Sequence, residues 1–124
     1  MNSTINTLLA EQGENVLKSM KELKRLAKKK GKARFDAFEK FCANQHSFGV
    51  YTFTDPAIQE MGEIKDFQEN MEAFRDTFQV VSTDFDATMD ISLVDSIYEA
   101  TFTSYNEMVI EFNLLDRRLD AKRF

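Results

Sequence analysis

Residues 64–81 read IKDFQENMEAFRDTFQVV, and the apolar positions Ile64, Phe67, Met71, Phe74, Phe78 and Val81 follow one another by three or four. That interval is the period of an α-helix, so these side chains share one face. A second arm, VDSIYEATFTSYNEMVIEFNLLDRRL, covers 94–119. Its aligned positions are Val94, Tyr98, Thr101, Tyr105, Met108, Phe112, Leu115 and Leu119. Between the arms lies an Asp-rich, apolar-poor segment, Ser82 to Asp90. Two striped helices joined by a short link pack against each other, antiparallel. Residues 56–119 therefore predict a long helical hairpin, entered through Asp55 as N-cap and Pro56 as first helical residue. Ser92 followed by Asp95 predicts a capping box for the second arm, with Asp in place of the usual Glu.

Upstream of the hairpin, Ser3 or Thr4 offers a cap, and Ile5, Leu8 and Leu9 begin an apolar face. Gly13 is a weak point, costing about 1 kcal/mol against Ala inside a helix. From Val16 the face continues through Met20, Leu23 and Ala27, flanked by Leu17 and Leu26. This predicts a first helix over about 4–30. Gly31, after a lysine-rich last turn, predicts its stop. Phe35, Phe38, Phe41 and Cys42 lie in a new phase and predict a short aromatic helix over about 32–44. Residues 45–54 read as an extended connector whose Phe48, Tyr51 and Phe53 plug an end of the bundle. Residues 120–124 form a short tail. The fold class that follows is all-α, one domain over 1–124. It is an elongated antiparallel three-helix bundle with coiled-coil-like stripes and an additional short aromatic helix.

Composition supports that class. One Pro and four Gly among 124 residues leave little of the punctuation a turn-rich β fold needs. Twelve Phe and six Met supply the core. Cys42 is the single cysteine, so no internal disulfide forms, and a cytoplasmic or other reducing compartment is expected. No apolar run reaches the ~18 residues of a membrane span, and the N-terminus has no signal-peptide pattern.

Charge is unevenly placed. Residues 18–40 hold ten Lys or Arg and three Asp or Glu, whereas residues 55–111 hold two and fourteen. On the first helix Lys18, Arg25 and Lys32 recur by seven, with Lys21, Lys28 and Lys29 beside them, opposite the apolar face. Such a stripe pairs with acidic helices of its own fold, meets an acidic protein or a second copy, or binds nucleic acid or an anionic surface. No aromatic interrupts 18–32 and no phosphate-binding glycine loop occurs. The acidic row Asp66, Glu69, Glu72 and Asp76 reads as a solvated helix face.

Two further patterns touch on chemistry. Cys42 and His46 are four apart, a spacing that shares a helix face, but they are the only Cys and His and nothing specifies a third group to orient the base. Asp84, Asp86, Thr88, Asp90, Ser92 and Asp95 fall at relative positions 1, 3, 5, 7, 9 and 12. That spacing resembles the calcium loop of the EF-hand family, which implies a cation held by Asp84, Asp86, Thr88, Asp90 and Asp95. Met89 stands where the family has Gly, and Asp95 is one methylene shorter than the usual Glu. The same residues are also ordinary turn and cap formers.

The expectation is a non-enzymatic interaction or structural protein, with no catalytic residues, cofactor or small-molecule substrate. Its long helices bind a protein partner or a second copy through Lys18, Lys21, Arg25, Lys28, Lys29 and Lys32. Nucleic-acid or anionic-surface binding by the same residues is the alternative, and a calcium-responsive helix pair a third.

Overall fold

The computed structural model describes residues 2–29, 31–79 and 89–122, with side chains placed over 5–29, 31–79 and 89–113. It is all-α: α1 Asn2–Leu26, α2 Lys32–Thr52, α3 Pro56–Gln59, α4 Gly62–Gln79 and α5 Ile91–Lys122. Among the described residues there is no strand.

Four of these helices make the bundle. α1 packs along α2, and α4 along α5, as two hairpins. α5 closes on α1, and α2 meets α4. Cross-contacts fix the directions. Asn44 Nδ2 reaches the Asn15 carbonyl at 3.5 Å, while Arg34 reaches Ala27. Asn70 Nδ2 donates to the Ala100 carbonyl and to Ser104 Oγ at 3.4 and 3.1 Å. The Tyr105 hydroxyl donates to the Ala10 carbonyl, and Lys24 pairs with Asp95. Along α1–α2 and α1–α5 one residue number rises as the other falls, and so it does across α2–α4, where Phe41 meets Phe74 and Phe48 meets Phe67; every neighbour, α4–α5 with them, is therefore antiparallel. The result is an up-down-up-down bundle in ring order α1, α2, α4, α5. α5 has 32 residues and is about 48 Å long, so the shape is elongated.

The apolar stripes are the core. Ile64, Phe67, Met71, Phe74 and Phe78 of α4 are all buried, as are Val94, Met108 and Phe112 of α5, Val16, Met20 and Leu23 of α1, and Ala27 just past its end. Thr101 is buried with them, its hydroxyl donating to the Ile97 carbonyl at 2.7 Å. Tyr98 and Tyr105 are half-buried. Val81, Leu115 and Leu119 lie outside the residues whose side chains are described.

Several boundaries differ from the sequence reading. The aromatic helix does not stop near 44. It runs to Thr52, so the 45–54 connector is helical and α2 is the fourth full member of the bundle. Tertiary packing decides this over the strand propensity of Val50–Thr54. Phe48 is buried in an edge-to-face contact with Phe67, centroids 5.0 Å apart. Tyr51 is half-buried, whereas Phe53 is 76% exposed and plugs nothing. The inward face of α2 is Arg34, Ala37, Phe41, Phe48 and Thr52, one residue out of phase with Phe35, Phe38 and Cys42.

The first helix ends at Leu26, not near 30, and the chain reverses between it and α2. Gly31 is not the residue after α1's last turn but the one before α2. Its φ of 116° lies in the left-handed region that suits glycine. Arg34 is 2% exposed, and its Nη1 donates to the Ala27 carbonyl at 3.3 Å, tying the start of α2 to the turn that follows α1.

Asp55 caps as expected, accepting from Ala57 N at 3.0 Å, but the helix it opens is only α3. α4 restarts at Gly62. The cap of α5 is Asp90, whose Oδ1 accepts from Leu93 N at 3.2 Å, so the Ser92–Asp95 capping box is not used. α5 continues to Lys122, through most of the residues read as a tail. Gly13 does not end α1. A Cβ there would stand 2.7 Å from Tyr105 Cε1, so the missing side chain is what lets α5 lie close against α1.

Candidate partner-binding site

α1 buries Val16, Met20 and Leu23, which turns Lys18, Lys21 and Arg25 outward; Lys28 and Lys29 follow in the turn past its end, and all five are exposed. Lys32 is exposed too, but it is the first residue of α2. The seven-residue recurrence Lys18, Arg25, Lys32 therefore does not run along one helix, because Gly31 separates its last member.

The ridge borders a groove of about 570 Å³ between α1 and the start of α5. Lys18, Lys21, Lys24, Arg25 and Lys28 supply its cations, and α5 contributes Ile91 and Asp95. Lys24 sits at the seam. Its Nζ is 3.2 Å from Asp95 Oδ1 and 4.8 Å from the centre of the Tyr98 ring, a cation–π arrangement. Tyr98 in turn lies 6.4 Å, centroid to centroid, from Phe102. Arg25 Nε donates to Glu22 Oε2 at 3.0 Å, and Nη2 to Oε1. That hydrogen bond holds the Glu22 carboxyl below its usual pKa, helped by the nearby charges of Arg25, Lys40 and Lys29, and raises Arg25 in return. The only ion pairs among the described residues are Lys24–Asp95 and Arg25–Glu22. Lys18, Lys21, Lys28, Lys29 and Lys32 make none with the described residues.

The sequence reading overlooked Lys24 and the two α5 residues. Lys24 follows Lys21 by three and precedes Lys28 by four, a helical signal on the flank of the same ridge. Ile91 and Asp95 enter only through the α1–α5 register, which no local pattern announces.

A second groove, about 470 Å³, runs between α4 and α5. Asp66, Glu69, Glu99 and Glu107 rim it, and Ala100, Thr103 and Ser104 lie along it. Asn70 bridges it through the bonds to Ala100 and Ser104 given above. None of the four carboxylates is ion-paired among the described residues.

The other candidate chemistry is dispersed. Cys42 and His46 share α2, but Cys42 is half-buried and His46 exposed. Burial pushes the Cys42 thiol up; Arg75 across the α2–α4 seam opposes this, and Glu39 and Glu72 add to it. Of the calcium-loop residues, Asp84, Asp86 and Thr88 lie outside the described residues. Asp90 is engaged as the α5 cap and Asp95 with Lys24. No group of three or more His, Cys, Asp or Glu able to hold a metal occurs among the described residues. None of the described helices is long and apolar enough to cross a membrane.

Comparison of the chain with protein-family models, with curated proteins and with solved structures finds no match.

Proposed function

We propose that this chain is a non-enzymatic helical interaction protein whose α1/α5 groove receives an acidic surface of a protein partner. The observation that supports this reading is the charge balance of the groove. Five cations border it, and among the described residues only two of them have a counter-ion. Exposed lysines held on a rigid helix steer an acidic partner and set its register, while Ile91 and the Tyr98–Phe102 pair add apolar surface beside them. The lone thiol of Cys42 suits a reducing compartment.

Poly-L-glutamate is a direct probe. The chain is expected to bind it at low salt, with affinity falling as the Debye length shrinks from about 10 Å at 0.1 M to about 3 Å at 1 M. Replacing Lys18, Lys21 and Lys28 together by Gln should weaken binding about tenfold or more and leave the melting temperature nearly unchanged, because all three are exposed. Equal binding by wild type and variant sinks the reading.

A second reading, an anionic polymer such as nucleic acid, is favoured by one feature. The Tyr98 ring beneath Lys24, with Phe102 next to it, is the pairing of cation and aromatic that single strands use. Its signature on a duplex is log affinity falling with log salt at a slope near −0.9 per phosphate neutralised.

A further inference from the structure

We infer that the acidic surface the basic ridge receives is the α4/α5 groove of a second copy of this chain. The inference rests on the reading above and names its partner.

The two surfaces are complementary in charge and in length. Lys18 to Arg25 spans seven residues of α1, about 10 Å of helix, and Lys28 stands in the turn just past its end. Glu99 to Glu107 spans eight residues of α5, about 12 Å. Among the described residues, Lys18, Lys21 and Lys28 have no ion-pair partner on one side, and Asp66, Glu69, Glu99 and Glu107 none on the other. Shape agrees with charge. The ridge is the convex outer face of a helix, and the acidic groove is lined by the small side chains of Ala100, Thr103 and Ser104. Small residues let a helix ridge settle between two others.

Position on the fold sets the symmetry. α5 contributes Ile91 and Asp95 to the basic groove on its α1 side, and Glu99 and Glu107 to the acidic groove on its α4 side. A copy that donates its ridge therefore keeps its own acidic groove open. The contact is heterologous, and each added copy presents the same two surfaces, so assembly continues past a dimer or closes as a ring. The net charge of −5 does not prevent this. At about 0.1 M salt, charges more than ~10 Å from the interface are largely screened.

The test is sedimentation velocity of the full chain across a concentration series at low and at high salt. Mass should rise past a dimer at low salt and return to the monomer at high salt. One variant carries Lys18→Gln, Lys21→Gln and Lys28→Gln, the other Glu69→Gln, Glu99→Gln and Glu107→Gln. Each alone should remain monomeric with an unchanged circular dichroism spectrum. Mixed, they retain one intact ridge and one intact groove, and should form a dimer that grows no further. Should a triple variant unfold, the single exposed changes Lys21→Gln and Glu99→Gln replace it and should each weaken assembly severalfold. A wild type that stays monomeric at low salt and high concentration overturns the inference. So does a variant that assembles like wild type, or a mixture that stays monomeric. Poly-L-glutamate binding separates the two levels. A monomeric wild type that still binds the probe through Lys18, Lys21 and Lys28 loses only the second copy as partner. A wild type that binds no probe loses the acidic-partner reading itself.

Discussion

The two seams that close this bundle are built differently. Where α2 meets α4, rings do the packing: Phe41 lies edge-on to Phe74 at 5.3 Å and Phe48 edge-on to Phe67 at 5.0 Å. Where α5 meets α1, the chain instead removes a side chain at Gly13 and lets Tyr105 lie against the backbone, its hydroxyl 3.0 Å from the Ala10 carbonyl. Farther along, that seam ends in lysines, a carboxylate and an open groove. One seam is apolar and filled; the other is close-fitting at one end and addressable at the other. The proposed recognition surface therefore lies on a different seam from the packed rings, and substitutions on the two sides should report different things.

The largest effects belong to the filled seam. Phe74 is fully buried and touches both Phe41 and Phe78. Phe74→Ala removes those contacts and leaves a cavity, which should lower stability by roughly 3–5 kcal/mol in chemical denaturation. Phe48→Ala should fall in the same range. A loss below about 1 kcal/mol for both would mean that α2 is not a member of the core.

Gly13→Ala probes the close-fitting end of the other seam. Helix propensity alone favours the change by up to about 1 kcal/mol. The new methyl, however, meets a ring pinned by its hydrogen bond to Ala10 and by Phe67, whose centroid is 5.7 Å away. Overpacking of this kind costs roughly 1–3 kcal/mol, so the net effect should be destabilising. In a Tyr105→Ala background the clash is gone, and the same substitution should become neutral or stabilising. A Gly13→Ala protein more stable than wild type would show that the seam yields.

These two seams also explain what could be read in the sequence. The α4 stripe was legible because its inward residues are all large and apolar, at intervals of three and four. α2 was half legible because its inward face uses Arg34, Ala37 and Thr52, types that a hydropathy pattern assigns to the surface or ignores. Its last turns carry β-branched and aromatic residues, and only Phe48 against Phe67 shows why they are helical. The basic ridge could be read because it depends on α1's period alone. Its groove could not, because Ile91 and Asp95 join it through an α1–α5 register set by Gly13 and Tyr105, far apart in the chain.

Alkaline pH gives a smaller contrast, one group per seam. Burial raises the Cys42 thiol above its ordinary 9.0 and the Tyr105 phenol above its ordinary 10.0. In both cases the folded chain holds the proton more tightly than the unfolded chain. Their contribution is therefore complete below the ordinary values and is lost as pH rises through the raised ones. The melting temperature should decline above about pH 9, with the Cys42 component appearing first. Cys42→Ser should remove the earlier part of the decline and Tyr105→Phe the later part. A melting temperature flat to pH 11 in wild type would show that neither group is held in its neutral form.

The smallest effect on stability is expected at Lys24, where the two seams' roles separate most sharply. Its partners look substantial, with Asp95 at 3.2 Å and the Tyr98 ring at 4.8 Å. Yet the Lys24 side chain is 31% exposed and that of Asp95 is 49% exposed, so solvent screens the pair. Partly exposed pairs are worth about 0–1 kcal/mol, and Lys24→Gln should shift stability by no more than that. Recognition should respond differently. Removing Lys24 takes one cation from the groove and leaves Asp95 without its partner beside Ile91. Binding of poly-L-glutamate should fall severalfold at low salt, and the loss should shrink at high salt. Asp95→Asn supplies the opposite arm: it frees Lys24 for an incoming carboxylate and should strengthen probe binding at nearly constant stability. If Lys24→Gln instead lowers stability by several kcal/mol, the groove end of the α1–α5 seam is structural. If neither substitution alters probe binding, the groove is a solvated surface and recognition lies elsewhere on the bundle.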